Sequence, residues 1–265
     1  MNGVASRPTR LRQPDGVWIY LVVAFAGAWG IGLPALFAGV SLSGPLAAIW
    51  LVILSLIPGA AALVAARLGR SSRALPELLR RIRTWRVGMR LYAVAIGMPL
   101  GAVAVAAGAS IVLGIELEPQ PAILVTIPLI LAANFAEETG WRGLALPALL
   151  GRMSAFRASL LLGLIWSAWH IPVQLLVPGE GKALVLLALL LQLTGVSILL
   201  TWLSIHGRGS VIVVTVAHAS FNVAGNALAL VTVESQLLLG IACAALGAIT
   251  LAIGGQALRR PQLVD

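Results

Sequence analysis

Residues 134–147 read NFAEETGWRGLALP. Two adjacent glutamates, Glu137 and Glu138, and an arginine, Arg142, stand there between two long apolar runs. Ionised groups are rare in such company, so the meaning of the stretch depends on what surrounds it.

The surroundings are membrane. Of 265 residues 60% are hydrophobic and only 10% charged, against about 25% charged in a soluble domain. The mean hydropathy is +1.00. Apolar runs fall at roughly 17–39, 44–66, 91–113, 122–138, 158–178, 183–205, 211–231 and 237–257. Each is close to the ~20 residues that cross a bilayer core of about 30 Å as helix. The runs do not alternate, and only closed barrels span membranes as strands. The expected fold is therefore all-α: a polytopic membrane protein of eight transmembrane helices, bundled around a buried polar cavity open to the cytoplasmic side.

The arginines orient the bundle. With the N-terminus in the cytoplasm, Arg7, Arg10 and Arg12, the eight arginines from Arg67 to Arg90, and Arg142, Arg152, Arg157, Arg208, Arg259 and Arg260 all fall inside. Only Lys182 falls outside, with Glu116, Glu118, Glu180 and Glu234. One missed span would invert every later loop, so this partition supports both the count and the positive-inside orientation. Residues 1–16 and 258–265 are read as cytoplasmic tails around one transmembrane domain, 17–257, whose first span is too long for a signal-peptide core. A multi-pass protein of the bacterial inner membrane is expected from this and from the Arg-, Ala- and Gly-rich composition. The net charge of +9 then serves anionic lipids of the inner leaflet rather than nucleic acid. The stretch ALPELLRRIRTWR (74–86) has Leu75, Leu78, Leu79, Ile82 and Trp85 at helical spacing opposite arginines, which predicts an amphipathic helix lying on that leaflet. The single Cys243 excludes an internal disulfide or a cysteine metal cluster.

Three spans carry polar groups that lipid should not tolerate. Glu137 and Glu138 close the fourth, with Arg142 one turn beyond. His170 lies about 18 Å into the fifth, with Trp166 and Gln174 on the same face. Pro172 has no N–H for the carbonyl four residues earlier, so a freed carbonyl is expected beside the histidine. The seventh span puts His218, Asn222 and Asn226 on one face. His206 stands apart in a short loop and is read as interfacial. Buried polar side chains in a membrane need partners, and this set can supply its own.

A carboxylate, two histidines and an amide, without a nucleophilic Ser or Cys among them, suit an activated water. A desolvated carboxylate can act as base near neutral pH, and amide or imidazole N–H groups can stabilise an oxyanion. Glu137, His170 and His218 are also a conceivable zinc set, although the chain has no HExxH and asparagine is a poor zinc ligand.

These segments resemble the three motifs of the intramembrane CAAX prenyl protease and bacteriocin-processing family, also described as lysostaphin-resistance-like or abortive-infection-type. Its Glu-Glu-x-x-x-Arg matches Glu137, Glu138 and Arg142. Its Phe-x-x-x-His aligns with Trp166 and His170, and its His-x-x-x-Asn with His218 and Asn222. The resemblance covers roughly residues 134–226, and Trp166 departs from the usual Phe. It implies an intramembrane endopeptidase without a metal cofactor. Glu137 would be the water-activating base, and His170 would help to hold the water. His218 and Asn222 would form the oxyanion hole, Glu138 and Arg142 would order the site, and Trp166 would wall the pocket. The substrate would be a peptide or membrane-associated protein. Bacteria generally lack prenylated proteins, so bacteriocin leaders, immunity against such peptides, or membrane-protein fragments are the expected substrate classes. Zinc remains the alternative cofactor. A non-catalytic immunity or scaffolding protein and a proton-coupled transporter are the alternative functions, the latter weakened by the lack of an inverted repeat of broken helices.

The charge partition makes a direct prediction. Reporters fused after residues 80, 155 and 260 will read cytoplasmic, and fusions near 118, 180 and 234 will read external. Opposite readings at 118 and 234 would overturn the eight-span topology.

Overall fold

The computed structural model describes residues 16–42, 44–69 and 71–259. Arg7, Arg10, Arg12, Arg70 and Arg260, the tail 1–15 and residues 260–265 lie outside the described residues. Every regular element among those described is helical. The helices are α1 (Val17–Phe37), α2 (Gly44–Leu68), α3 (Ala74–Arg83), α4 (Met89–Val112), α5 (Ile127–Gly140), α6 (Leu146–Leu150), α7 (Ala155–Leu176), α8 (Lys182–His206), α9 (Val211–Ala227) and α10 (Val233–Arg259). A 3₁₀ turn, Pro121–Thr126, leads into α5, and a π-helical turn, Trp141–Ala145, joins α5 to α6.

Seven helical stretches among the described residues are long and apolar enough to cross a membrane, and α9 is an eighth, shorter apolar helix of 17 residues. At 1.5 Å per residue α9 is about 25 Å long, a little less than a bilayer core. It stops at Ala227, four residues short of the expected 231, where the chain turns through Ala229 at φ 48°.

The fourth span corrects the sequence reading. It does not end at the glutamates but runs as one helical rod from Pro121 to Leu150. Glu137 and Glu138 thus lie inside it, 4% and 0% exposed. The solvated interfacial cluster that an Arg-Glu pair usually denotes is not what forms. The rod does not need to leave the membrane at its charges because, as described below, other helices bring partners to them. The π turn immediately follows the glutamates; such turns mark positions where a helix is distorted to aim side chains.

Small residues let the helices close around the rod. A Cβ on Gly140 would stand 2.6 Å from both the Pro58 carbonyl oxygen and the Tyr20 hydroxyl, so α2 meets α5 almost backbone to backbone and α1 reaches the same place through the Tyr20 ring. Gly195 of α8 is tighter, since its Cβ would lie 2.1 Å from the Cys243 carbonyl oxygen of α10. Between apolar helices in lipid such close approach is the main source of association.

The amphipathic helix α3 is present but is docked on protein rather than laid on lipid by its whole apolar face. Ala74 and Leu78 are buried, and Leu78 covers Gly143 of the π turn. Arg81 Nη1 donates to the Gly143 carbonyl at 3.1 Å. Burial lowers the Arg81 pKa, with Glu77 opposing the shift. The Ser210 hydroxyl at the start of α9 donates to the Thr84 carbonyl, and Arg208 Nη2 donates to the Arg86 carbonyl at 2.9 Å. Trp85 remains exposed. Periodicity shows that a helix has an apolar face, but not whether protein or lipid will cover it.

At the opposite, acidic end of the bundle, Lys182 donates to the Gln174 and Val177 carbonyls and so caps α7. Glu116, Glu118, Gln120, Thr126, Asn226 and Thr232 help to line a cavity of about 770 Å³ there.

The α8–α10 contact yields a stability test. Gly195→Ala is expected to destabilise the protein by about 1–3 kcal/mol, the usual cost of overpacking. Gly101→Ala, with nothing within 4 Å of its added Cβ, should be tolerated. Thermal unfolding of the detergent-solubilised proteins reads both. A Gly195→Ala protein as stable as the Gly101→Ala control would show that this approach does not hold α8 to α10.

Candidate active site

The site is assembled from α2, α5, the π turn, α7 and α9. Glu138 is its most deeply buried member. One of its oxygens, Oε1, accepts from Arg142 Nη1 at 2.9 Å and pairs with His218 Nδ1 at 3.0 Å, while Oε2 lies 3.1 Å from the same Arg142 nitrogen. Arg142 is 1% exposed and His218 4%. The guanidinium carbon also stands 4.5 Å from the centre of the Trp166 ring, a cation–π contact whose strength grows when water is excluded. Among the described residues the other two guanidinium nitrogens, Nε and Nη2, find no hydrogen-bond partner. The ring face therefore carries part of what solvent or carboxylate would otherwise supply.

Glu137, the neighbouring carboxylate, is held by a different set. Its Oε1 accepts from the Ser55 hydroxyl of α2 at 2.9 Å, and its Oε2 from the Trp166 indole Nε1 at 3.2 Å. Neither partner is charged. The two glutamates, one residue apart, thus have separate roles. Glu138 is neutralised within an ion cluster, and Glu137 is held in place by neutral donors.

Trp166 is where these contacts meet. Besides Glu137 and Arg142, its ring meets His218 edge-on, 5.0 Å between centroids at 89°, and His170 at 5.9 Å. The His170 ring also packs against Trp169 at 4.7 Å. His170 Nδ1 lies 2.9 Å from the Trp166 carbonyl oxygen. A carbonyl can only accept, so Nδ1 carries the proton and a neutral ring presents Nε2 as an acceptor. One turn along, the carbonyl of Ala168 has lost its helical donor to Pro172 and accepts instead from Trp29 Nε1 of α1 at 3.1 Å. The expected freed carbonyl is there, and an indole on another helix satisfies it.

Asn222 of α9 donates through Nδ2 to Asn134 Oδ1 at 3.2 Å, and Asn226 Nδ2 donates to the Asn222 carbonyl at 2.7 Å. Asn222 and His170 are half-buried and Asn226 is exposed. An amide file thus runs from the acidic-end cavity, which Asn226 lines, toward α5.

Each residue singled out from the sequence therefore has a defined place. Glu138, Arg142 and His218 form one cluster, Glu137 and Trp166 are hydrogen-bonded, and Asn222 stands on the amide file. His170 touches the set through Trp166 rather than through Glu137. His206 stays outside the set, stacked on Trp202. Among the described residues no three His, Cys, Asp or Glu side chains converge as a cation would need. The conceivable zinc set of Glu137, His170 and His218 is therefore not gathered around one point.

Asn134 and Ser55 were not anticipated. Asn134 gave a signal, an amide one turn before Glu137 in an apolar run. Ser55 gave none, because a lone serine in a membrane helix usually bonds its own backbone.

The ion cluster predicts a coupled stability effect. Arg142→Met takes the guanidinium from a buried carboxylate, leaves His218 as its remaining partner, and should cost about 3–5 kcal/mol. The double change Glu138→Leu with Arg142→Met should recover much of that loss, because no charge is left stranded. Thermal unfolding in detergent measures both, and an Arg142→Met protein of undiminished stability would remove the cluster as a determinant of the fold.

Residues 119–224 match the family described as type II CAAX prenyl endopeptidase Rce1-like. A CAAX prenyl protease 2 from Methanococcus maripaludis is 35% identical over 109 residues, which is 38% of this chain and 40% of that protein. The aligned part thus spans well under half of the relative's length. The matched segment contains Glu137, Glu138, Arg142, Trp166, His170, His218 and Asn222, and over that segment the chain is similar to the CAAX prenyl endopeptidase family.

Proposed function

We propose that this protein is an intramembrane endopeptidase that hydrolyses a peptide bond with a water activated by Glu137. The observation that carries the proposal is the state of that carboxylate: buried in a membrane helix, in a segment matching the protease family, and held by Ser55 and Trp166 rather than neutralised by a cation.

In this mechanism Glu137 takes a proton from the water as its oxygen attacks the scissile carbonyl carbon. His170, through Nε2, helps to hold that water. The oxyanion accepts from Asn222, whose amide has a second N–H beyond the one given to Asn134, and from His218. Glu138 fixes the His218 ring through Nδ1, and in the imidazolium form Nε2 carries a second N–H, which is the one given to the oxyanion. Collapse of the intermediate breaks the C–N bond, and the proton from the water passes to the leaving amine. No metal takes part. The substrate is a peptide or membrane-associated protein segment, and arginines at the cytoplasmic surface bind anionic lipid headgroups. The protein works in a bacterial inner membrane with both termini inside.

Glu137→Gln should lower turnover at least about 10²-fold, the scale of acid–base catalysis. Asn222→Ala should lower it about 10²–10³-fold, as when one oxyanion donor is removed. Comparing membrane proteomes of wild type and Glu137→Gln identifies the cleavage products that disappear. The purified enzyme is then assayed with and without a strong chelator. Full activity in chelator with a dead Glu137→Gln supports the reading, chelator-sensitive activity restored by zinc overturns the metal-free mechanism, and identical proteomes overturn the peptidase.

A further inference from the structure

We propose that Ser55 and the indole N–H of Trp166 act together as a positioning clamp that holds the Glu137 carboxylate in the orientation needed for water activation. The inference rests on the peptidase reading above but reaches outside the family segment, since Ser55 lies on α2, well before residue 119.

The terminal torsion of a glutamate is soft, with broad minima. One hydrogen bond leaves a carboxylate free to pivot about the bonded oxygen. Here two donors approach from two different helices and take different oxygens, the Ser55 hydroxyl on Oε1 at 2.9 Å and Trp166 Nε1 on Oε2 at 3.2 Å. This fixes the plane of the group. Each carboxylate oxygen accepts more than one hydrogen bond, so the clamp still leaves capacity for a water. The indole N–H can only donate, which requires Oε2 to be an acceptor, as a base must be.

The Trp166 half of the clamp is rigid. The side chain is 1% exposed, and its ring is fixed by Arg142 on its face and by the His218 ring at 89°. Phenylalanine, the residue resembling proteins carry at this position, could fill the same space and meet the same rings. It has no N–H to offer. Tryptophan here adds a donor aimed at the reacting carboxylate, on the oxygen that Ser55 does not take. The Ser55 hydroxyl is the weaker half, because it can turn to its own helix backbone.

Purified full-length protein in detergent is compared as wild type, Ser55→Ala, Ser55→Thr, Trp166→Phe and the Ser55→Ala/Trp166→Phe double variant. The activity probe is an internally quenched peptide spanning a cleavage site found in the comparison of wild-type and Glu137→Gln membrane proteomes. Each single loss should lower kcat about 10-fold with KM within about twofold, and the double variant should lose about 100-fold. Ser55→Thr, which keeps the hydroxyl, should return to within about threefold of wild type. A residue that merely supports folding would lower the melting temperature without this split or this rescue. Independently of any substrate, the ¹⁵N–¹H indole resonance of Trp166, identified by its loss in Trp166→Phe, should move upfield in Glu137→Ala as the hydrogen bond disappears. An indole resonance unmoved by Glu137→Ala overturns the clamp, as does unchanged kcat in both single variants of an active enzyme. Wild type that leaves the peptide intact while the resonance moves as expected counts against the peptidase reading and leaves the clamp geometry standing.

Discussion

The structure depends on a carboxylate that lipid would reject. An ionised side chain near the middle of a membrane helix costs several kcal/mol unless it is paired, and Glu138 is completely buried. Arg142 answers it from one turn along the same helix, and His218 from α9. Neither partner alone would suffice. An i,i+4 pair in a surface helix is worth only a few tenths of a kcal/mol, and what makes this one strong is the removal of water by Trp166 on one side and Leu146, Trp141 and Tyr20 in the surrounding core. The price of that arrangement is rigidity, since α5, the π turn, α7 and α9 must all stay in register for the charges to remain matched.

That requirement explains the packing around it. Tyr20 stands against Trp141 edge to face, 5.4 Å between ring centroids, and Trp141 against Trp169 at 6.0 Å. The aromatic rings thus continue from α1 through the π turn to α7. Trp169 Nε1 donates to the Ala24 carbonyl and Trp29 Nε1 to the Ala168 carbonyl, which ties α1 and α7 together in both directions. Pro172 costs α7 one backbone hydrogen bond, and the Trp29 indole restores it. Gly32 accepts the proline ring, since a Cβ there would be 2.5 Å from Pro172 Cβ. The helix carrying His170 is held by its neighbours where its own ladder is interrupted.

Much of this was legible in the chain. Apolar runs and the one-sided arginines specify a helical membrane bundle, and polar residues confined to three spans mark where those spans meet. The same logic failed at the end of the fourth span. Glu137 and Glu138 read as an exit from the membrane because nothing nearby in sequence except Arg142 could neutralise them. The second partner, His218, is 80 residues away, and the helix continues because that partner exists. Helix α3 failed for a related reason, since Leu78 looks the same to a periodicity argument whether it meets lipid or Gly143. Ser55 was invisible because its hydroxyl acquires meaning only when α2 is laid against α5. Local pattern gives the helices and the polar inventory, whereas the pairing of polar groups is a property of the assembled bundle.

The exposure of the site residues is graded from a closed side to an open one. Glu138, Arg142 and Trp166 are at most 1% exposed, and their hydrogen-bonding and ring contacts are to one another, to His218, to Glu137 and, from Trp166, to His170. A substrate could reach them only by breaking the cluster that stabilises them. His170 and Asn222 are half-buried, and Asn226 opens onto the cavity at the acidic end. Glu137 lies between the two groups: buried like the first, but bound by neutral donors that leave lone pairs open. A site built this way keeps its charge balance on the closed side and its available hydrogen-bonding capacity on the open side. The two adjacent glutamates fall on opposite sides of that boundary because consecutive residues on a helix are turned about 100° apart, enough to aim one at the Arg142–His218 cluster and the other at Ser55 and the Trp166 N–H.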